Sequence, residues 1–291
     1  MIDKGILRKI NRIHFKAKKT VDSVMSGQYR SAFHGRGIEF IRVREYTPGD
    51  DVKLIDWNVT ARMGQAHIKE FREERELNII IAVDLSGSGN FGSESQLKRD
   101  VAAEIAALFA FLAVKSNDRV GLLIFTDKIE LFIPPRKGRT NVWRIIREVL
   151  SFNPEAKGTD VNAALVFLNR ALKRKTICFL ISDFMSEEFD KTLKLSGKKH
   201  ELISVSVRDK REFEIPDVNY ASFEDAETGE VVTVNTSDNK SRNYFNERTE
   251  KLYRENLKVF AKNNIDFIEV WTDKPYIYPI FRYFKAKEKK R

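Results

Sequence analysis

Cysteine is almost missing from this chain of 291 residues: Cys178 is the single one, which excludes an internal disulfide and a cysteine-based zinc cluster. Long apolar runs are also missing. The longest near-uninterrupted stretches, Asn78–Val83 and Ala106–Val114, fall far short of the roughly 18 residues that a membrane span needs. The opening MIDKGILRKINRIHFKAKK has neither the apolar block nor the small-residue cleavage site of a signal peptide. No GxxxxGKS/T segment is present, so the chain has no phosphate-cradling loop with which to hydrolyse ATP. These absences lead to the expectation of a soluble, cytoplasmic, globular protein in a reducing compartment.

What is present can fill a core: 42% of residues are hydrophobic and 32% charged. The formal net charge of +10 is unevenly placed. Residues 1–20 carry seven Lys/Arg against one acid, residues 285–291 carry five against one, and the stretch between them balances at 40 and 40. The basicity therefore belongs to two tails and not to a basic face interleaved with aromatics, as a nucleic-acid surface would show. Solvated ends are the expected reading, with RNA, anionic lipid or an acidic partner as alternatives.

From Asn78 the pattern alternates between strand and helix. Asn78–Val83 and Thr176–Ile181 are continuous apolar runs of the kind buried on both faces of a parallel sheet, joined by Arg119–Phe125, Leu202–Val207 and Asp266–Trp271. Ile129–Ile133 returns as a hairpin strand closed by Pro134–Pro135. Helical spacing predicts helices over Leu97–Lys115, Thr140–Leu150, Val161–Lys173, Glu187–Lys199 and Ser241–Asn263, and residues 209–240 read as a β-hairpin excursion. The expected class is α/β: a doubly wound, mostly parallel sheet over residues 77–284, preceded by a small β-rich element within residues 1–76 and followed by a basic tail, 285–291. Ile2, Ile6, Ile10, Ile13 and Ala17 form the apolar stripe of an N-terminal amphipathic helix, expected to pack on the domain rather than on a membrane.

Ligands of open α/β sheets sit at the carboxyl ends of the strands. Asp84, Ser86 and Ser88 follow the first main strand as D-x-S-x-S, Thr159 precedes a later helix, and Asp183 follows the next strand. Two carboxylates and three hydroxyls at one edge suit a small hard cation, Mg²⁺ or Mn²⁺. Taken alone, D-x-S-x-S serves equally as a helix cap, and Asp160 reads as a cap for the Val161 helix.

The order of these pieces resembles the von Willebrand factor A domain and its metal-ion-dependent adhesion site. Gly35–Phe40, Arg44–Asp51, Ile55–Trp57, Thr60–Arg62 and Lys69–Glu76 are similar to the signature of the domain of unknown function 58 family, which places such a block before a von Willebrand A-like domain. The resemblance implies that Ser86, Ser88 and Thr159 contact the metal, that Asp84 and Asp183 bind it directly or through water, and that one coordination position is left for a partner's carboxylate. It further implies an adaptor or chaperone-type accessory of a MoxR-type AAA+ ATPase, not an enzyme. Gly89 departs from the bulkier residue common in adhesion proteins.

Other readings compete. A phosphatase of the haloacid dehalogenase type would need an aspartate where Ser86 stands, and neither His67 nor His200 has a nucleophile at a recognisable spacing, so a metal-dependent hydrolase is the weaker alternative. Asp50–Asp51 and Glu73–Glu76 are expected to be solvated or locally paired, Trp57 and Arg62 to clamp the N-terminal element onto the domain, and Cys178 to lie in the core.

Overall fold

The computed structural model describes residues 4–21, 26–33, 38–73, 76–93, 96–185 and 189–290; of these, the side chains of 4–7, 14, 38–41 and 71–73 are not described. Two helices come first, α1 (Lys4–Thr20) and α2 (Ser26–Phe33). A two-stranded antiparallel ladder follows, β1 (Ile38–Glu45) with β2 (His67–Glu73), enclosing a short helix, α3 (Trp57–Met63).

The main sheet holds β3 (Asn78–Asp84), β4 (Arg119–Phe125), β5 (Ile129–Arg136), β6 (Ile177–Ser182), β7 (Glu201–Arg208) and β10 (Asp266–Trp271). Between its strands lie α4 (Lys98–Lys115), α5 (Arg139–Ser151), α6 (Val161–Ala171), α7 (Asp190–Lys199), a hairpin of β8 (Tyr220–Glu224) and β9 (Val231–Asn235), and α8 (Asn239–Lys262). A last helix, α9 (Ile277–Lys290), ends the described chain. The strand order is β10-β7-β6-β3-β4-β5, and every neighbouring pair is parallel except β4 with β5. The expected α/β class and mostly parallel sheet are therefore found. Pro134 and Pro135 are tolerated in β5 because it is an edge strand and because they fall where its register with β4 slips, between Val120 and Leu122, so the missing N–H groups break no regular ladder.

The apolar run of β3 splits by alternation. Ile79, Ile81 and Val83 face one core, with α4, α5 and α9; Ile80 and Ala82 face the other, with α6 and Phe260 of α8. Strands covered on both faces need apolar side chains at every position, which is why β3 reads as a continuous run. Cys178 is fully buried in the second core, as its neighbours in sequence indicate.

Three sequence boundaries shift. Residues 1–76 divide: Ile10, Ile13 and Ala17 of α1 are buried in the first core of the sheet domain, the packing expected of the amphipathic helix, and Tyr29, Ala32 and Phe33 of α2 join them there, while Ile2 lies outside the described residues. Residues 285–290 are not a loose tail. They continue α9, where Lys287 pairs with Glu201 at 2.6 Å and Asp266 at 2.7 Å. Glu187 and Glu188 lie outside the described residues, and α7 is seen from Asp190. Among the described residues no helix is long and apolar enough to cross a membrane.

Trp57 and Arg62 do not clamp the N-terminal element onto the domain; both are exposed, Trp57 by 68%. The β1–β2 element is instead held by its own polar contacts. Asp50 accepts both guanidinium nitrogens of Arg44, at 2.8 and 2.7 Å, and the Thr47 amide, which together hold its carboxyl well below the usual carboxylate range. Asp51 caps the turn Val52–Leu54. Glu76, beyond β2, is not paired locally but with Arg119 of β4 and with Lys137. Gly35–Gly37 and Glu74–Arg75, part of the sequence signature, lie outside the described residues.

Candidate functional site

Strand order reverses between β3 and β6: the chain moves outward from β3 through β4 to β5, then restarts at β6 and moves the other way through β7 to β10. Helices leaving two adjacent strands in opposite directions open a crevice at the carboxyl ends of those strands. Asp84 is the last residue of β3, and Asp183 follows the last residue of β6. The crevice and both predicted carboxylates therefore coincide.

Each oxygen of Asp84 is engaged. One accepts the Ser86 amide at 2.9 Å and the other the Ser182 hydroxyl at 2.6 Å. The Ser86 and Ser88 hydroxyls lie 3.1 Å apart at the start of the short turn Gly87–Asn90. Burial, then the nearby negative charge of Asp183, pushes the Asp84 carboxyl up to about 6. Asp183 accepts the Met185 amide at 3.1 Å. Burial works against its ionisation, yet Lys98 and the Ser88 hydroxyl hold its carboxyl below the usual range. Phe184 next to it is fully buried at φ 57°, a left-handed conformation costly for a bulky residue. Its amide donates to Ser182 Oγ at 3.0 Å, its carbonyl accepts from Asn256 at 2.6 Å, and its ring packs on Phe260 with centroids 5.0 Å apart. That packing holds the strained turn which presents Asp183.

Thr159 is placed differently. Its hydroxyl donates to Glu227 Oε1 at 2.8 Å, in the tip of the β8–β9 hairpin. The same tip lies against the serine loop: a Cβ on Gly87 would fall 2.2 Å from the Ala226 carbonyl oxygen. Gly87 also donates its amide to Lys157 at 2.8 Å, so the loop before α6, the serine loop and the hairpin tip meet at one place. Asp160 accepts the Ala163 amide and caps α6, as expected. Gly89 has room, since a Cβ there would make an ordinary 3.7 Å contact with Arg99.

Sequence reasoning missed the cation of this site. Lys98, the first residue of α4, is 3% exposed; its ammonium donates to Asp183 Oδ2 at 2.6 Å and also to Glu212. Despite burial, the charges of Asp183 and Glu212 push the ammonium above its ordinary range. A void of about 20 Å³ remains beside Asp84, Ser88, Lys98, Ser182 and Asp183, the volume of one water-sized sphere. A larger cavity of about 390 Å³ opens between Leu85, Phe91, Arg99, Asn153 and the hairpin residues Glu224 and Ala226. Among the described residues no three or more His, Cys, Asp or Glu side chains are grouped to hold a metal. The predicted set differs in kind, since most of its donors are hydroxyls.

Residues 42–255 match the family described as "Protein of unknown function DUF58". The chain belongs to the DUF58 family. It is 32% identical over 232 residues to the uncharacterized protein Rv1480 of Mycobacterium tuberculosis, a match covering 79% of this chain and 73% of that protein, and equally to the uncharacterized protein Mb1516 of Mycobacterium bovis. The solved structures that this DUF58 chain is similar to include BatB from Bacteroides thetaiotaomicron. That match has a TM-score of 0.49 and 16% identity, and covers 74% of this chain and all of the other. An aerotolerance-related membrane protein from Bacteroides fragilis gives the same values.

Proposed function

We propose that this DUF58 protein is a non-enzymatic interaction module of von Willebrand factor A type. In this reading it engages a partner's carboxylate at the carboxyl edge of the sheet, through a divalent cation, Mg²⁺ or Mn²⁺. The observation that carries the reading is the convergence of Asp84, Ser86, Ser88 and Asp183 where the strand order reverses. The donors themselves suit a small hard ion, being oxygen atoms only, two of them hydroxyls; Asp84, Ser88 and Asp183 line a void with room for one small sphere, which Lys98 and Arg99 also line, and Ser86 stands 3.1 Å from Ser88. Asp84, Ser86, Ser88 and Asp183 would hold the ion. Thr159 would join them from the rim once it exchanges Glu227. When bound, the ion would supply positive charge that neutral hydroxyls leave largely uncompensated, which favours an incoming acid.

The partner proposed is a MoxR-type AAA+ ATPase or its client, as the resemblance to the DUF58 family implies; the chain carries no GxxxxGKS/T segment of its own. The basic ends give less support to a nucleic-acid or membrane role, since Lys9 pairs with Asp100, Lys16 with Glu104 at 2.5 Å, and Lys287 with Glu201 and Asp266. A pull-down with wild type and Asp84→Ala, each with and without Mg²⁺, tests the proposal. A partner captured only by wild type in Mg²⁺ supports it; a partner held equally well by Asp84→Ala rejects it.

A further inference from the structure

The Lys98 ammonium and a divalent ion need the same place. Asp183 has two oxygens: Oδ1 accepts the Met185 amide and Oδ2 accepts the Lys98 ammonium at 2.6 Å, with the Ser88 hydroxyl also bonded to this carboxylate. The oxygens of Asp84 are taken by Ser86 and Ser182. The small void is itself lined by Lys98 together with Asp84, Ser88 and Asp183. A cation entering there meets an ammonium already in contact with the carboxylate that it would coordinate, and like charges at such a distance in a buried setting repel strongly.

Lys98 also has somewhere to go. Its ammonium touches Glu212 as well as Asp183, and Glu212, in the segment leading to the β8–β9 hairpin, is not among the residues that line the void. That segment is anchored independently: Asp209 accepts the Ser93 amide at 3.0 Å and the Thr272 hydroxyl at 2.6 Å, and Glu212 accepts the Asp209 amide at 2.9 Å. Arg208 stands behind, its guanidinium 3.5 Å from the centre of the Tyr253 ring. A flexible four-carbon stem lets the ammonium leave Asp183 while keeping Glu212. The ammonium is in direct contact with two carboxylates, Asp183 and Glu212, so it can give up the first and stay paired with the second.

We infer that Lys98 is a tethered counter-cation which a divalent ion displaces from Asp183 toward Glu212, and that Lys98 thereby sets the metal affinity of the site. The inference rests on the metal-site reading above and concerns a residue which that reading does not use. It makes the site selective: a monovalent ion offers Asp183 no more charge than the ammonium does, whereas a divalent ion does.

The test is calorimetric titration of the full chain with Mg²⁺ and with Mn²⁺, alongside thermal melting, for wild type, Lys98→Met, Lys98→Met/Glu212→Gln and Asp84→Ala. The double variant removes the charge of one of the two carboxylates that Lys98→Met deprives of the ammonium, so it keeps the test open if the single variant fails to fold. The expected result is an affinity about tenfold or more tighter once Lys98 is replaced, and lost in Asp84→Ala. Mg²⁺ binding by wild type that Asp84→Ala abolishes but removal of Lys98 leaves unchanged overturns the Lys98 inference and leaves the metal site standing. No divalent binding by any variant overturns both. A Mn²⁺ soak of wild-type crystals reads the same question without a variant: metal beside Asp183 with the ammonium moved to Glu212 supports displacement, and metal beside Asp183 with the ammonium still on it refutes displacement.

Discussion

The Ser182 hydroxyl donates to Asp84 at 2.6 Å, joining the ends of β6 and β3 across the reversal of strand order. Both residues are buried, and Ser182 Oγ also accepts the Phe184 amide at 3.0 Å. One hydroxyl thus orients the first carboxylate and holds the strained turn behind the second. Ser182→Ala removes a donor from a buried carboxylate and an acceptor from a buried amide, which should cost roughly 1–3 kcal/mol. Chemical denaturation reads this directly, and a loss under about 0.5 kcal/mol would show that the pair contributes little.

Helix α2 is core despite its place outside the sheet domain in sequence. The Phe33 ring meets Phe179 of β6 and Phe284 of α9 edge-on, with centroids 5.9 and 5.7 Å away. Phe33→Ala should therefore destabilise the whole domain by about 3–5 kcal/mol. Trp57→Ala should stay within about 0.5 kcal/mol of wild type because the ring is mostly exposed. Equal effects from the two substitutions, measured by urea unfolding, would contradict this placement.

His200 should make the protein acid-sensitive. Its ring is 2% exposed, and neither nitrogen has a hydrogen-bond partner among the described residues. Burial, assisted by the Lys199 charge, holds its pKa down at about 4. The unfolded chain takes up a proton near pH 6.5 while the folded chain resists until about pH 4, so stability falls as pH drops through that window. The loss should be roughly 2–3 kcal/mol from this group and should be absent in His200→Leu. Denaturation midpoints at pH 7 and pH 4.5 decide it: an unchanged pH slope in the variant assigns the acid sensitivity elsewhere.

Gly87 lets the hairpin tip rest on the serine loop. Since a Cβ there would press on the Ala226 carbonyl oxygen, Gly87→Val should lift the tip. Hydrogen exchange over residues 225–230 should quicken, while the strands of the main sheet keep their protection. Unaltered exchange at the tip would mean that the loop, not the hairpin, gives way.

Much of the framework is legible because it follows from local rules. A strand buried on both faces has to be apolar at successive positions, so β3 and β6 can be read residue by residue, and Asp84 and Asp183 are the carboxylates met at their carboxyl ends. The strand–helix alternation then orders the sheet and brings those two ends together. Thr159 was legible as a residue of the same edge, but its bond to Glu227 was not, because 68 positions separate the two and the hairpin's tilt decides their meeting.

The sequence by itself determined the sheet, its two covered faces and the pair of acids at its edge, since hydrophobic period and strand order leave few other arrangements. Only the tertiary structure decided that α2 and α9 join α1 in completing the core, and that Lys98 and Glu212 enter the crevice. Charged residues at the start of a helix look alike in sequence whether they face water or a buried carboxylate. The difference lies in how α4 and the 209–212 segment pack across distances that no local pattern encodes.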